Sequence, residues 1–535
     1  MALTAVFHNA FALPNNVTGS PIVTLNHVQY TGLHNATLHT NTYFSIPFAA
    51  PPVGPLRWKA PQPYVQSTNL TPNKTIVDAT KRGPSCVQAT PYPFWTEAPA
   101  PIPAGEGSEN CLTLNVYTPD TATPTSNLPV MFNIHGGGYV VGAAGNEAPY
   151  AMLRHSKNAF IYVSIQYRLG AYGFLGGPKY ASMGGAPNLG LQDQRLALKW
   201  TQENIAAFGG DPSKVTIMGG SAGGGSVTAQ MMWSGGEEKP PFRAALADYP
   251  FWQQFIREDQ LDKQFDALLE AAGCREKTLE CLQEIPEDKL KNATQDTYTT
   301  AYFDGAYGYG HFYYGPYVDG EFLRGFPSEE FNAGRFAHVP TLVSRNGYEG
   351  FVFTNMSASF TPEDEKADLR KHFPYANQAV FDKLYEIYPN EAFNSTFWHR
   401  QTWFGDFSIN CPTYTLASSL TKANTPVYKV VFNAGSQLHG AIGEFIGDLD
   451  YASRPGANVT IADTIKDYYV SFMLYLNPNA KSWSNLTKPV WREYAESKGE
   501  VMSFNYTAIG NVEDQWYDDT ERCRFWEENG DVVGV

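Results

Sequence analysis

Two periodicities alternate along the chain. Short runs of β-branched and aromatic residues read as buried strands: Val130–Ile134 (VMFNI), Phe160–Ile165 (FIYVSI), Val215–Met218 (VTIM), Thr341–Ser344 (TLVS) and Val427–Phe432 (VYKVVF). Between them, apolar residues recur at three- and four-residue spacing over Leu191–Phe208 and again over Ile465–Leu476, which predicts helices packed by one face. Strands that alternate with helices and are apolar on both faces predict an α/β fold, a large and mostly parallel sheet covered on both sides. No repeat at periods of roughly 20 to 50 residues is visible, which argues against solenoids and propellers.

Two stretches depart from this alternation. Residues 86–111 are rich in Pro and small residues and read as a loop, while residues from about 255 to 335 are helical and aromatic with little strand character. Both read as insertions on one core. Because no Gly/Ser or charged linker interrupts the chain, residues 1–535 are expected to form a single domain.

Composition narrows the class. The 535 residues are 43% apolar and 17% charged, enough for a large core and unlike a disordered or fibrous chain. A formal charge of −15, from 53 acidic against 38 basic residues, leaves no electrostatic footprint for nucleic acid. No apolar run approaches the roughly 18 residues of a membrane span. Ten Asn-x-Ser/Thr acceptors, at Asn16, Asn35, Asn69, Asn73, Asn292, Asn355, Asn394, Asn458, Asn485 and Asn505, exceed the few that chance would supply. The surplus predicts a secreted protein carrying N-linked glycans, in which the six cysteines would be oxidised into three bridges. Inert buried thiols in a cytosolic enzyme are the competing reading. The first residues, MALTAVFHNAFALP, lack a basic start and break their apolar run at His8 and Asn9, so they read as a processed or re-engineered start rather than a signal peptide.

Candidate chemistry begins at Gly219-Gly220-Ser221-Ala222-Gly223, directly after the VTIM strand and before a predicted helix. A sharp strand-to-helix turn of this kind projects a serine hydroxyl above the sheet, and small flanking residues permit it. A serine nucleophile needs a base, an acid to orient the base, and donors for the oxyanion. His135-Gly136-Gly137-Gly138-Tyr139 follows the VMFNI strand and offers backbone N–H groups for that purpose; alone it would read as a plain Gly-rich turn. It carries neither a GK[ST] ending nor a GxGxxG pattern, so it is no phosphate loop. No HExxH and no CxxC with His partners occurs, so no metal or cofactor is expected.

Together these residues sit in longer blocks: GPSC ending at Cys86, ENCLTLNVYTP from Glu109, HGGGYVVG from His135, YRLGAYGFL from Tyr167, NLGLQDQRLALKW from Asn188, NIAAFGGDPSKVTIMGGSAGGGSV from Asn204, PYVDGEFL from Pro316 and CRFW from Cys523. In these blocks the chain resembles the type-B carboxylesterases of the α/β-hydrolase fold, a group that includes cholinesterases, fungal lipases and neuroligins. The resemblance implies Ser221 as nucleophile, with oxyanion donors on Gly137, Gly138 and Ala222. It implies Glu349, in TLVSRNGYEG, as the acid, and His439, in SQLHGAIGEF, as the base. That order along the chain is the one α/β-hydrolases use. His135 is then a structural group, Asp319 a turn residue, and Glu444 and Ser226 supporting residues near the triad. The implied disulfides are Cys86–Cys111, Cys274–Cys281 and Cys411–Cys523, the first anchoring a loop that would act as a lid over the gorge.

Departures matter too. Many relatives place Glu before the nucleophile, where this chain has Gly220, which puts cholinesterase-like cation binding in doubt. Where relatives read QSG, this chain reads ADYP (Ala247–Pro250) followed by Phe251 and Trp252, which are candidate pocket residues beside Tyr139 and Trp95. The aromatic run AYFDGAYGYGHFYYGPY from Ala301 would suit an aromatic-lined gorge; ordinary packing of the insertion explains it equally well. The expected activity is hydrolysis of apolar or aromatic carboxylic esters through an acyl-enzyme, by a monomer or homodimer acting on a small-molecule ester. The alternatives are a lipase or sterol esterase on long acyl chains, and a catalytically silent, neuroligin-like binding protein.

Overall fold

Each predicted β-branched run forms a strand in the computed structural model, which describes residues 20–65, 76–93, 105–145, 149–276, 278–357 and 360–535. Among the described residues the strands are β1 (Ile22–Leu25), β2 (Val28–Thr31), β3 (Leu33–Asn35), β4 (Thr40–Pro47), β5 (Ile76–Asp78), β6 (Thr113–Pro119), β7 (Leu128–Ile134), β8 (Ile161–Ile165), β9 (Gly210–Gly220), β10 (Ala244–Asp248), β11 (Thr341–Asn346), β12 (Val427–Asn433), β13 (Glu500–Asn505) and β14 (Ile509–Glu513). Strands β1, β2 and β5 make a small separate sheet; the others join in one sheet, ordered β14-β13-β12-β11-β10-β9-β7-β8-β6-β4-β3. From β8 through β13 every pairing is parallel. Antiparallel strands close the two ends.

Both faces of the parallel strands are buried, as a sheet covered on each side requires. In β7, Val130, Phe132 and Ile134 point into one core, while Met131 between them joins a second core with Tyr162, Leu246, Leu342 and Val430. The predicted helices cover these faces: Leu189–Asn204 and Ala222–Met232 on the first, Val459–Tyr475 on the second. Their ends are shifted relative to the apolar pattern: Leu189–Asn204 gives way to a 3-10 turn over Ile205–Phe208, and Val459–Tyr475 starts earlier because a side chain caps it. Asn458, for example, accepts the N–H of Ile461 to start the last of them.

The region from 255 to 335 is helical as expected, with helices Glu258–Ala271, Leu279–Glu284, Glu287–Phe303 and Pro327–Asn332 and no strand among its described residues. Its aromatic run packs into the core: Tyr307, Tyr309, Phe312, Tyr313, Tyr314 and Tyr317 are all buried. The cysteines form the three implied bridges, Cys86–Cys111, Cys274–Cys281 and Cys411–Cys523. Of the loop between the first pair, residues 94–104, including Trp95, lie outside the described residues. Among the described residues no helix is long and apolar enough to cross a membrane.

Candidate active site

Four loops meet at the carboxyl ends of the parallel strands, where an open α/β sheet builds its sites. They follow β7, β9, β11 and β12 and carry His135–Tyr139, Ser221, Glu349 and His439 respectively. The register brings β9 between β7 and β10, with Ile134 opposite Gly219 and Gly220 opposite Asp248. The glycine loop is thereby set against the serine turn.

Ser221 adopts φ 58° and ψ −126°, a backbone conformation that costs a non-glycine residue on the order of 1–3 kcal/mol. Surrounding hydrogen bonds hold it there: the Ser221 N–H donates to the Asp248 carbonyl at 3.1 Å, and the Ser221 carbonyl accepts from Gly225 at 2.9 Å and Phe251 at 3.0 Å. The hydroxyl meets His439, whose Nε2 lies 2.8 Å from Ser221 Oγ. On the other side of the ring, Nδ1 is 2.6 Å from Glu349 Oε2. His439 keeps 11% of its side-chain surface exposed, and Glu349 keeps none.

Glu349 is fixed by a residue that the sequence reading missed, Asn346. Glu349 Oε1 accepts from both the Asn346 N–H, at 2.5 Å, and the Asn346 Nδ2, at 2.9 Å. The same amide's Oδ1 accepts the N–H of Ile442 at 3.0 Å, tying the turn that bears Glu349 to the loop that bears His439. An amide at the last position of a strand, three residues ahead of the acid, was the available signal.

The glycine loop completes the arrangement. A Cβ on Gly136 would sit 3.2 Å from that of Ser221, so the loop lies directly against the serine side chain. Among the described residues, the N–H groups of Gly137, Gly138 and Ala222 donate to no other protein group. That of Ala222 is an orphan donor at the first turn of helix Ala222–Met232, where the helix dipole favours negative charge. Burial holds the His135 ring down at about 4, so it is neutral; it stacks on Tyr167 at 4.4 Å and takes no place beside Ser221.

Several candidate residues are placed differently from expectation. Tyr139, a candidate pocket residue, is turned inward by a backbone φ of 62°, and its hydroxyl lies behind the serine turn. A Cβ on Gly225 would be 2.4 Å from that oxygen, and Ser226 hydrogen-bonds to it. Ser226 also accepts from Gln194 Nε2 at 2.9 Å, so it pins the glycine loop to the elbow helix, a supporting role. Trp252 likewise packs in the core, donating to Thr228 Oγ1 at 3.0 Å and stacking on Phe331. Glu444 faces Arg454 at 3.9 Å and makes no hydrogen bond to Ser221, Glu349 or His439; Asn346 does the supporting instead. Asp319 accepts three backbone N–H groups of its own turn.

Phe251 does border the site, within an aromatic wall that the sequence reading only partly found. Its ring lies 5.6 Å from Phe312 and 5.8 Å from Phe353. Phe312 presses on the glycine loop, 2.1 Å from where a Gly138 Cβ would be, and Phe353 lies 4.9 Å from His439. Phe312 is the member of the 301–317 aromatic run that reaches the glycine loop; Tyr307, Tyr309, Tyr313, Tyr314 and Tyr317 pack in the core, and Phe303 is exposed.

An open, mostly parallel sheet with a serine, a histidine and a carboxylate converging on loops at its carboxyl edge defines an α/β-hydrolase. The sequence profile of the carboxylesterase family matches residues 20–526, and the chain belongs to that family. It is 36% identical over 409 residues to Lipase 4 of Diutina rugosa, covering 70% of this chain and 71% of that one. Secreted lipase 1 of Botryotinia fuckeliana is 30% identical over 95% of this chain and 94% of its own length. Among solved structures, Aspergillus niger EstA superimposes with a TM-score of 0.81 at 27% identity, covering 96% of this chain and 99% of that one. The protein is a carboxylic ester hydrolase. Relatives named as lipases and as esterases stand side by side, and the reading as a silent binding protein falls away.

Proposed function

We propose that Ser221 is the nucleophile of a secreted esterase, with His439 its general base and Glu349 the carboxylate that orients the base. The observation that carries this reading is the unbroken chain of hydrogen bonds, Ser221 to His439 at 2.8 Å and His439 to Glu349 at 2.6 Å, beside three uncommitted N–H groups. As Ser221 Oγ attacks the ester carbonyl, Nε2 takes its proton. Negative charge gathers on the carbonyl oxygen, and Gly137, Gly138 and Ala222 donate to it where no water has to reorganise. Collapse expels the alcohol, which takes the proton back from Nε2. Water then enters along the same path and gives its proton to Nε2 as its oxygen attacks the acyl carbon; the Oγ–acyl bond breaks, Ser221 Oγ takes that proton back, and the acid is released. Glu349 holds the ring in place through Nδ1 and stabilises the imidazolium.

The wall of Phe251, Phe312 and Phe353 supports an apolar or aromatic acyl group. Secretion is supported by the three disulfides, by a relative named as a secreted lipase, and by the sequons. Asn35, Asn292, Asn355, Asn394, Asn458, Asn485 and Asn505 are all half-buried or exposed, while Asn16, Asn69 and Asn73 lie outside the described residues. The substrate reading is tested by kcat/KM on p-nitrophenyl esters from acetate to palmitate, with methyl ferulate and a choline ester alongside. Short or aromatic acyl groups should be preferred. A maximum at palmitate that rises further on an emulsion would replace the esterase reading with the lipase one.

A further inference from the structure

Tyr249 follows β10 at the carboxyl edge of the sheet, and three observations single it out. Its backbone φ of 32° is a left-handed conformation that a tyrosine adopts only when its surroundings impose it. Its N–H donates to the Ser344 carbonyl at 2.8 Å, which fixes the residue between β10 and β11. From there the ring meets His439 edge-on, with centroids 5.0 Å apart and planes at 80°. Gly220, the residue before the nucleophile, leaves the space that the ring fills. A Cβ there would stand 2.3 Å from the Tyr249 hydroxyl and 2.6 Å from Cζ, so any side chain at 220 would have to displace the ring.

We propose that Tyr249, admitted by Gly220 and working with Phe353, is a positioning residue that holds the His439 ring during deacylation. The proposal rests on the reading of Ser221, His439 and Glu349 given above. In the free enzyme two hydrogen bonds set the imidazole plane, one to Ser221 and one to Glu349. Once Ser221 Oγ is esterified it has no proton to donate, and that restraint is gone. Rotation about Cβ–Cγ of histidine is intrinsically broad, so Glu349 alone leaves the ring free to swing about one contact. The edge contacts with Tyr249 and Phe353, at 5.0 and 4.9 Å, do not depend on the state of Ser221. They persist while Nε2 must aim at the incoming water. The absence of a side chain at position 220 is therefore the complement of a tyrosine at 249, with a consequence for one half of the catalytic cycle.

The test is stopped-flow hydrolysis of p-nitrophenyl acetate by Tyr249→Phe, Tyr249→Ala, Gly220→Ala and the Gly220→Ala/Tyr249→Ala pair, with thermal melts for each. Tyr249→Phe keeps the ring and should remain within about threefold of wild type in all constants. Tyr249→Ala should slow the steady phase about tenfold and leave the burst rate within about threefold, so that kcat and KM fall together while kcat/KM holds, since a small misplacement of a catalytic group costs of that order. Gly220→Ala should reproduce this pattern by displacing the ring, and it should add nothing in the Tyr249→Ala background. Equal losses in burst and steady phases, or a lower melting temperature with unchanged kinetics, would reduce Tyr249 to packing and overturn the proposal. A ratio of methyl acetate to acetate, measured in added methanol, that differs between p-nitrophenyl acetate and phenyl acetate would instead count against the shared acyl-enzyme of the reading itself.

Discussion

Two histidine–glutamate pairs lie in this molecule with nearly the same geometry. His439 and Glu349 are joined at 2.6 Å; His399 and Glu365 are joined at 2.5 Å. In each pair the carboxylate is held by a second donor, Asn346 for Glu349 and the Trp403 indole N–H, at 2.7 Å, for Glu365. They differ in what the other ring nitrogen faces. Nε2 of His439 faces the Ser221 hydroxyl, which can donate, whereas Nε2 of His399 faces the Tyr388 carbonyl at 2.8 Å, which cannot. The His399 nitrogen must therefore supply the proton of that bond and can take none from a nucleophile. Burial differs as well, with 11% of the His439 side chain exposed against 1% for His399. A paired histidine and carboxylate are thus not in themselves a catalytic unit. A donor hydroxyl on a strained turn, open to a third molecule, makes one.

The strongest way to break the comparison is to remove the hydroxyl. Ser221→Ala should lower kcat by about 10⁴- to 10⁶-fold with the melting temperature nearly unchanged, and His439→Ala should do about as much, the double variant being no worse than either. Glu349→Gln should cost about 10³- to 10⁴-fold, since it leaves the geometry but spoils the tautomer. The other pair should respond in the opposite currency. Glu365→Gln should destabilise the fold by about 3 kcal/mol, read from urea midpoints, while the fraction that remains folded keeps its kcat/KM within about twofold. A large activity loss at constant stability in that variant would erase the distinction.

The smallest effect concerns pH. Burial pushes His135 down to about 4, and burial together with neighbouring His372 pushes His311 down to about 3, so both are neutral in the fold. Unfolded, each would bind a proton below about 6.5. Stability is therefore complete above about 6.5 and is lost as pH falls towards 4, by at most about 1.4 kcal/mol per pH unit for each group. His311→Asn, which removes the titrating ring, should flatten that slope in urea titrations between pH 7 and 4.5. A slope equal to that of wild type would contradict it.

Much of this was legible in the chain itself, for physical reasons that can be named. The strands stood out because parallel strands buried on both faces are apolar throughout, and the turn bearing Ser221 stood out because small residues flank it after such a strand; Glu349 and His439 came from the resemblance to type-B carboxylesterases. Side-chain direction was less legible. Tyr139 follows the three glycines and looked poised over the site, but its positive φ sends the ring into the core. Phe251 and Trp252 are adjacent and equally aromatic, yet only the first meets Phe353, since successive side chains leave the sheet edge in different directions. The pairing of Gly220 with Tyr249 depends on the register of β9 and β10, which no local pattern records. Asn346 was hidden for a related reason: its role is to join two loops far apart in the chain.

The central claim is that one serine of the protein carries the acyl group. Titration with diethyl p-nitrophenyl phosphate, followed by peptide mass analysis, tests it most directly. One equivalent of p-nitrophenolate should be released per chain, activity should fall in proportion, the adduct should lie on the peptide containing Ser221, and Ser221→Ala should take up none. Full labelling of another residue, or an adduct on Ser221 that leaves ester turnover intact, would contradict the account.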